Sequence, residues 1–293
     1  MTAAPVTIRP RVTLSADGGT ALVTAAAGRV AAFDVTGGEL RAEHPAEHVL
    51  GVALSAGGAT LAVATARELV VLRDGERRAH RLPRRPAALA IADDGTRAAL
   101  LFGGRPATVE LWTLGRDAPD ATVEAGAGGR GELQADGELS LLLAWLGDAP
   151  AGTAPAALLA GGLEPVDGFP GPAPTAATAV HRGRAWAVGP EAATAWTAAG
   201  AGDDIPATLR DRVALAPGGG HVLLHRVEAD LGSGGARVLL RAFALPGLAP
   251  AGEAEAELAG HSEAAVAVTD ELEVRAVRAT ADGAIAVERL ALL

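Results

Sequence analysis

Between Val12 and Val35 the chain reads VTLSADGGTALVTAAAGRVAAFDV, short apolar runs cut by Ser15-Ala16-Asp17-Gly18, by Gly28 and by a Gly-Gly pair. Asp and Gly tolerate the positive φ that tight hairpins require. Apolar runs this short, bounded by turn residues, predict strand, turn, strand, turn, strand. The phrase returns as VALSAGGATLAVA (turn ending at Gly58), LAIADDGTRAALLF (Gly95) and GELQADGELSLLLAW (Gly137). It returns again as TAVHRGRAWAV (Gly183), VALAPGGGHVLLH (Gly219) and AVAVTDELEVRAV, where Glu271 takes the glycine position. Seven copies spaced by about forty residues have the period of four-stranded propeller blades.

Alanine is the best helix former, so an α-solenoid is the first alternative. Gly or Pro interrupts nearly every stretch long enough for a helix, which argues against it. A pair of β-sandwiches has no reason to repeat seven times. The expected fold is therefore all-β: a seven-bladed β-propeller of four-stranded blades filling residues 1–293 as one domain. The last copy supplies three strands, near Ala264–Thr269, Leu272–Ala279 and Ala284–Leu292, and Pro5–Arg9 is a spare strand at the other end. Pairing the two closes the ring and removes an open edge.

Composition adds little chemistry. Half the residues are apolar, but alanine dominates, so stability must come from many close sheet contacts rather than large anchors. There is no Cys, hence no disulfide or thiol chemistry, which fits a cytoplasmic protein. No Lys occurs and every strong base is Arg, the signature of a GC-rich, actinobacterial type of coding sequence. MTAAPVTIRPR has no apolar signal-peptide core, and no apolar run is long enough to span a membrane. A net charge of −10 opposes binding to nucleic acid.

Candidate catalytic groups are sparse. His221 and His225 share one face of an expected strand ~13 Å apart, too far for one metal. His44 and His48, near Glu43 and Glu47, lack a third ligand at zinc spacing. The glycine runs near 126–131, 218–220 and 232–235 match neither a P-loop nor a dinucleotide fingerprint. Asp93-Asp94 and Asp203-Asp204 are read as turn residues without a calcium-loop spacing. No GxSxG surrounds any of the five serines. The expected inner strands VTLS, VALS, LAIA, TAV, VALA and AVAV are nearly bare of carboxylates and His, which speaks against an enzyme, a metal or another cofactor.

Two clusters stand out. Arg73, Arg77, Arg78, Arg81, Arg84 and Arg85 crowd the outer part of copy two on an acidic chain. Charged residues on an edge strand guard against aggregation. Arg also forks to carboxylates at interfaces, so the cluster is the candidate surface for an acidic protein partner. Trp186 and Trp196, expected in phase on neighbouring strands, are the candidate platform for a small ligand or glycan.

The turns, with their SxDG phrase, resemble those of the degenerate bacterial propellers of the YVTN and WD40-like kind. The Trp-Asp dipeptide and the regular Gly-His signature of WD40 repeats are absent; only Gly220-His221 and Gly260-His261 occur. In WD40 proteins a His placed like His261 joins a structural hydrogen-bond network. In architecture and apparent source the chain also resembles the propellers encoded beside MoxR-type ATPases and von Willebrand A-domain proteins in bacterial ternary conflict systems. That resemblance implies a non-enzymatic protein–protein interaction scaffold in the cytoplasm. The alternatives are a propeller hydrolase or lactonase with a funnel site, and a small-ligand or glycan sensor.

Overall fold

The computed structural model describes residues 11–26, 29–104, 106–124, 131–146, 156–169, 178–229, 236–258, 264–280 and 282–292. They form a seven-bladed β-propeller. Blade one is β1 (Arg11–Leu14), β2 (Thr20–Ala26), β3 (Arg29–Asp34) and β4 (Leu40–Pro45); blade two is β5 (Gly51–Leu54), β6 (Thr60–Ala64), β7 (Glu68–Arg73) and β8 (Glu76–Arg81). Blade three is β9 (Ala88–Ile91), β10 (Arg97–Phe102), β11 (Thr108–Thr113) and β12 (Ala121–Glu124); blade four is β13 (Gly131–Ala135), β14 (Leu141–Leu146), β15 (Ala156–Ala160) and β16 (Glu164–Pro165). Blade five is β17 (Thr178–His181), β18 (Arg184–Val188), β19 (Ala192–Thr197) and β20 (Gly200–Pro206). Blade six is β21 (Arg212–Leu215), β22 (His221–Ala229), β23 (Ala236–Ala244) and β24 (Ala249–Leu258). Blade seven contributes β25 (Ala265–Val268), β26 (Val274–Ala279) and β27 (Ile285–Leu290). Every sheet is an antiparallel meander from its inner to its outer strand. Pro5–Arg9, the expected ring-closing strand, lies outside the described residues. Among the described residues no helix is long and apolar enough to cross a membrane.

The burial pattern explains why the strands read as they do. The second and third strands of a blade are covered on both faces by neighbouring blades, so β6 (TLAVA) and β10 (RAALLF) are almost wholly apolar and buried. Outer strands are half-wet and alternate, as β8 (ERRAHR) and β12 (ATVE) show. The core is a set of layers between blades. Leu22, Val30 and Ala32 pack against Leu61, Val63 and Val70 between blades one and two, and Val277 packs on Ala21 and Val35 between blades seven and one. Burial of a Leu or Val is worth roughly 1.5–3 kcal/mol. Alanine offers much less, and close approach of the sheets compensates.

That approach is set by the turns between first and second strands. Gly18 and Gly58 have φ of +68° and +69°; a Cβ would lie 2.7 Å from Ala267 Cβ at the first and 2.3 Å from Thr20 Oγ1 at the second. In blades four and seven the left-handed position belongs to Leu139 (φ 55°) and Leu272 (φ 64°), not to Gly137 and Glu271, the positions expected from the repeat. Each closes the turn with the same backbone bond, to Asp136 O and Thr269 O, that Gly18 makes to Ser15 O. Leu139 is buried in the core between blades three and four, and Leu272 packs against that between blades six and seven, which offsets the cost of the conformation. Gly137 is needed for another reason: a Cβ there would lie 2.0 Å from the Asp93 carboxylate of the neighbouring blade.

Candidate functional site

These turns lock the ring together at one end of the central channel. Asp17 N–H donates to Ala56 O at 3.1 Å between blades one and two. Gly57 N–H donates to Asp93 Oδ1 at 2.8 Å between two and three, and Asp93 N–H to Gly137 O at 2.9 Å between three and four. Gly183 N–H reaches Asp136 Oδ2 at 3.1 Å. His181 Nε2 donates to Pro217 O at 3.0 Å and Arg182 Nη1 to Gly218 O at 2.9 Å. Gly218 N–H reaches Asp270 Oδ1 at 2.7 Å. Arg275 Nη1 donates to Thr36 Oγ1 at 2.8 Å between blades seven and one. All seven interfaces are thus bridged. Asp93 is a bridge between blades, and Asp94 caps its own turn through Thr96 N–H at 2.8 Å. Asp203 and Asp204 lie in strand β20 rather than in a turn, because the outer strand of blade five starts at Gly200.

The channel is a cavity of about 830 Å³ walled by the first strands. Val12, Leu14, Leu54, Leu89, Val213 and Val266 give it an apolar lining. Arg11 and Arg212, each at the start of its strand, stand at the end opposite the turns. His225 also contributes, opposite Arg212 in the β21–β22 register. Burial, helped by the Arg212 charge, lowers its pKa from 6.5 to about 4, against a smaller opposing pull from Asp211. Gln134 lines the wall as well. Arg11, Arg212 and Gln134 escape a reading confined to the apolar centres of the inner strands, because two lie at strand starts and the third lies in β13, which that reading leaves out. His225 is visible in the sequence, but its place on β22 facing the channel is not. Among the described residues no group of three His, Asp or Glu side chains gathers as metal ligands would. His44 sits half-buried on β4, its Nδ1 2.7 Å from Pro45 O, while the neighbouring His48 has φ 63°. His261 and the glycine runs near 126–130 and 232–235 lie outside the described residues.

A second polar centre, unpredicted, lies under blade six. Asp211 is buried and accepts from Arg226 Nε at 3.2 Å and Nη2 at 3.1 Å, and from Thr208 N–H at 2.7 Å. Arg241 stands 3.5 Å away. The only sequence signal was Thr208 three residues before Asp211, at the entry to an inner strand.

The arginine cluster is split by the fold. Arg84 is drawn into blade three: its Nη2 donates to Glu110 Oε1 at 2.8 Å and to Thr108 Oγ1 at 2.7 Å, and its guanidinium lies 4.1 Å from the Phe102 ring centroid. Glu110 is buried and also accepts from Trp112 Nε1 at 3.0 Å. Arg73 ends β7, not the outer strand, and pairs with Asp74 at 3.2 Å. Arg78 pairs with Glu76 at 2.7 Å. Arg77, Arg81 and Arg85 are exposed, and among the described residues none has a carboxylate within ion-pair distance. Arg77 and Arg81 stand opposite Leu72 and Glu68 on the β8 face that looks toward blade one.

Trp186 and Trp196 are not in phase. The register sets Trp186 against Ala195 and Trp196 against Ala185, so the indoles point to opposite faces of blade five. Trp186 is fully buried between blades five and six. Trp196 packs between blades four and five, edge-on to Phe169 with ring centroids 5.0 Å apart. Both indoles fill inter-blade cores and form no open platform.

No protein-family model matches the chain, and no curated protein matches it in sequence. Solved structures do match in shape. Kuenenia stuttgartiensis hydrazine synthase superposes with a TM-score of 0.59 at 14% identity, covering 100% of this chain and 99% of that one. A eukaryotic initiation factor superposes with a TM-score of 0.52 at 11% identity, covering 99% and 90%. The chain shares the propeller fold with both. Likeness at such identities extends to the fold alone.

Proposed function

We propose that this propeller is a non-enzymatic docking scaffold whose blade-two rim takes an acidic protein segment. One observation carries the reading. On a chain of net charge −10, Arg77 and Arg81 stand exposed on one face of β8 and Arg85 stands exposed just beyond its end, and among the described residues none of the three has a carboxylate partner. The acidic residues with evident roles, Asp93, Asp136, Asp211 and Asp270, are engaged in holding turns and blades. Such a module suits a bacterial cytoplasmic multiprotein system of the MoxR and von Willebrand A-domain type, for which the support is the resemblance of the repeats and the composition. The test is titration of the purified chain with a fluorescent Glu-rich peptide. Replacing Arg77, Arg81 and Arg85 by Glu is expected to weaken binding about tenfold or more and to flatten its salt dependence. Unchanged binding by a folded variant overturns the reading.

A second reading rests on the channel. Its volume falls in the range of ligand pockets, and an apolar wall with Arg11 and Arg212 at one mouth suits a small anion with an apolar body. Loss of binding of a fluorescent fatty-acid analogue in Arg11→Ala and Arg212→Ala supports it; no binding to the wild-type chain removes it.

A further inference from the structure

Blade six carries the counterpart of the basic rim. Its outer strand β24 presents Glu253, Glu255 and Glu257, all exposed, at alternate positions. They share one face, opposite to Ala254 and Ala256, which pack toward blade seven. Glu255 is already paired with Arg237 at 3.0 Å. Glu253 and Glu257 are in no ion pair among the described residues.

We infer that β8 of one copy pairs edge-to-edge, antiparallel, with β24 of a second copy, through Arg77–Glu257 and Arg81–Glu253. The inference rests on the proposed role of the basic rim and names the acidic segment as this chain's own. Both strands are outer edges of their sheets, and among the described residues no strand pairs with their outer side. Arg77 and Arg81 look toward the preceding blade, and so do Glu253 and Glu257. Joining two outer edges by a half-turn about an axis normal to the shared sheet makes the strands antiparallel and brings these faces onto the same side. Opposed residues of an antiparallel pair point to one face, so each Arg meets a Glu. In that register Ala79 falls opposite Glu255, the one glutamate that already has a partner. A parallel join turns one face over and separates the charges. Two β8 edges repel each other, as do two β24 edges, so only unlike edges meet.

Blades two and six lie on nearly opposite sides of the ring, so the contact is head-to-tail and builds chains rather than a closed two-fold dimer. Sedimentation velocity on the full-length protein tests it. At about 0.05 M salt the mean size is expected to grow with concentration beyond a dimer, and at about 0.5 M salt to collapse to monomer as the charges are screened. Arg77→Glu with Arg81→Glu, and separately Glu253→Arg with Glu257→Arg, are each expected to sediment as monomers, and their equimolar mixture to assemble again. Arg77→Gln with Arg81→Gln weakens association about tenfold and serves where the reversed chain does not fold. A wild-type chain that stays monomeric at low salt, reversed variants that assemble as before, or a mixture that stays monomeric overturns the pairing. A monomeric wild type that still binds the Glu-rich peptide through Arg77 and Arg81 removes the self-partner and leaves the docking reading standing; failure of both assays removes both.

Discussion

The carboxylate of Asp93 in blade three accepts the backbone N–H of Gly57 in blade two at 2.8 Å. The same residue's N–H donates to Gly137 O of blade four, and its carbonyl accepts from Thr60 Oγ1 at 2.7 Å. One side chain and its peptide group therefore tie three blades. Asp93→Ala is expected to lower unfolding stability by about 1–3 kcal/mol, since Gly57 N–H is left without its acceptor. Gly137→Ala should cost at least as much, because its Cβ would sit 2.0 Å from the Asp93 carboxylate. Urea denaturation of both variants checks this; wild-type midpoints would show that the bridge contributes nothing.

Arg84 and Arg81 are neighbours in sequence with different work to do. Removing Arg84 leaves the buried Glu110 carboxylate short of a charged donor and uncovers the Phe102 ring. Arg84→Ala is expected to destabilise the fold by roughly 1–3 kcal/mol while leaving peptide binding unchanged. Arg81→Ala should do the reverse, with stability within about 0.5 kcal/mol of wild type. Thermal melts paired with peptide titrations separate the two.

Trp186→Ala and Trp196→Ala each empty a packed interface between blades, at a cost of about 3–5 kcal/mol. In the folded wild-type protein the fluorescence of Trp186, fully buried, should resist acrylamide quenching. Ready quenching in a chain that retains only this tryptophan would contradict the packing.

His225 makes stability depend on pH in a defined window. Its folded pKa of about 4 lies below the ordinary 6.5, so the unfolded chain takes up the proton first. Stability is unaffected above about pH 6.5 and falls as pH drops toward 4, by up to an order of 3 kcal/mol. Asp34 and Asp94 have lowered pKa values and act below 3.8, outside this window. His80, partly buried, also titrates low and adds in the same direction as His225. His225→Gln should therefore flatten, without abolishing, the loss between pH 6.5 and 4 in urea melts, and an unaltered slope would assign the effect elsewhere.

The sequence by itself determined the blade count, the strand order and most strand positions. These follow from local physics: turn residues that accept positive φ, and apolar runs whose length and spacing repeat. It also carried the basic rim and the Glu-rich outer strand, because charge is written residue by residue. The register within turns four and seven was not legible, since Leu139 and Leu272 adopt a conformation that only burial in an inter-blade core makes favourable. The roles of Asp93 and Arg84 were decided by residues of neighbouring blades, over thirty positions away for Gly57 and over twenty for Glu110. The faces of Trp186 and Trp196 depended on where the β18–β19 hairpin turns, and one residue of register moves a side chain from one inter-blade core to the other. Pairing of β8 with β24 lies further still from the linear chain: it needs the ring, which sets the two strands on opposite sides and makes their charged faces look the same way around it.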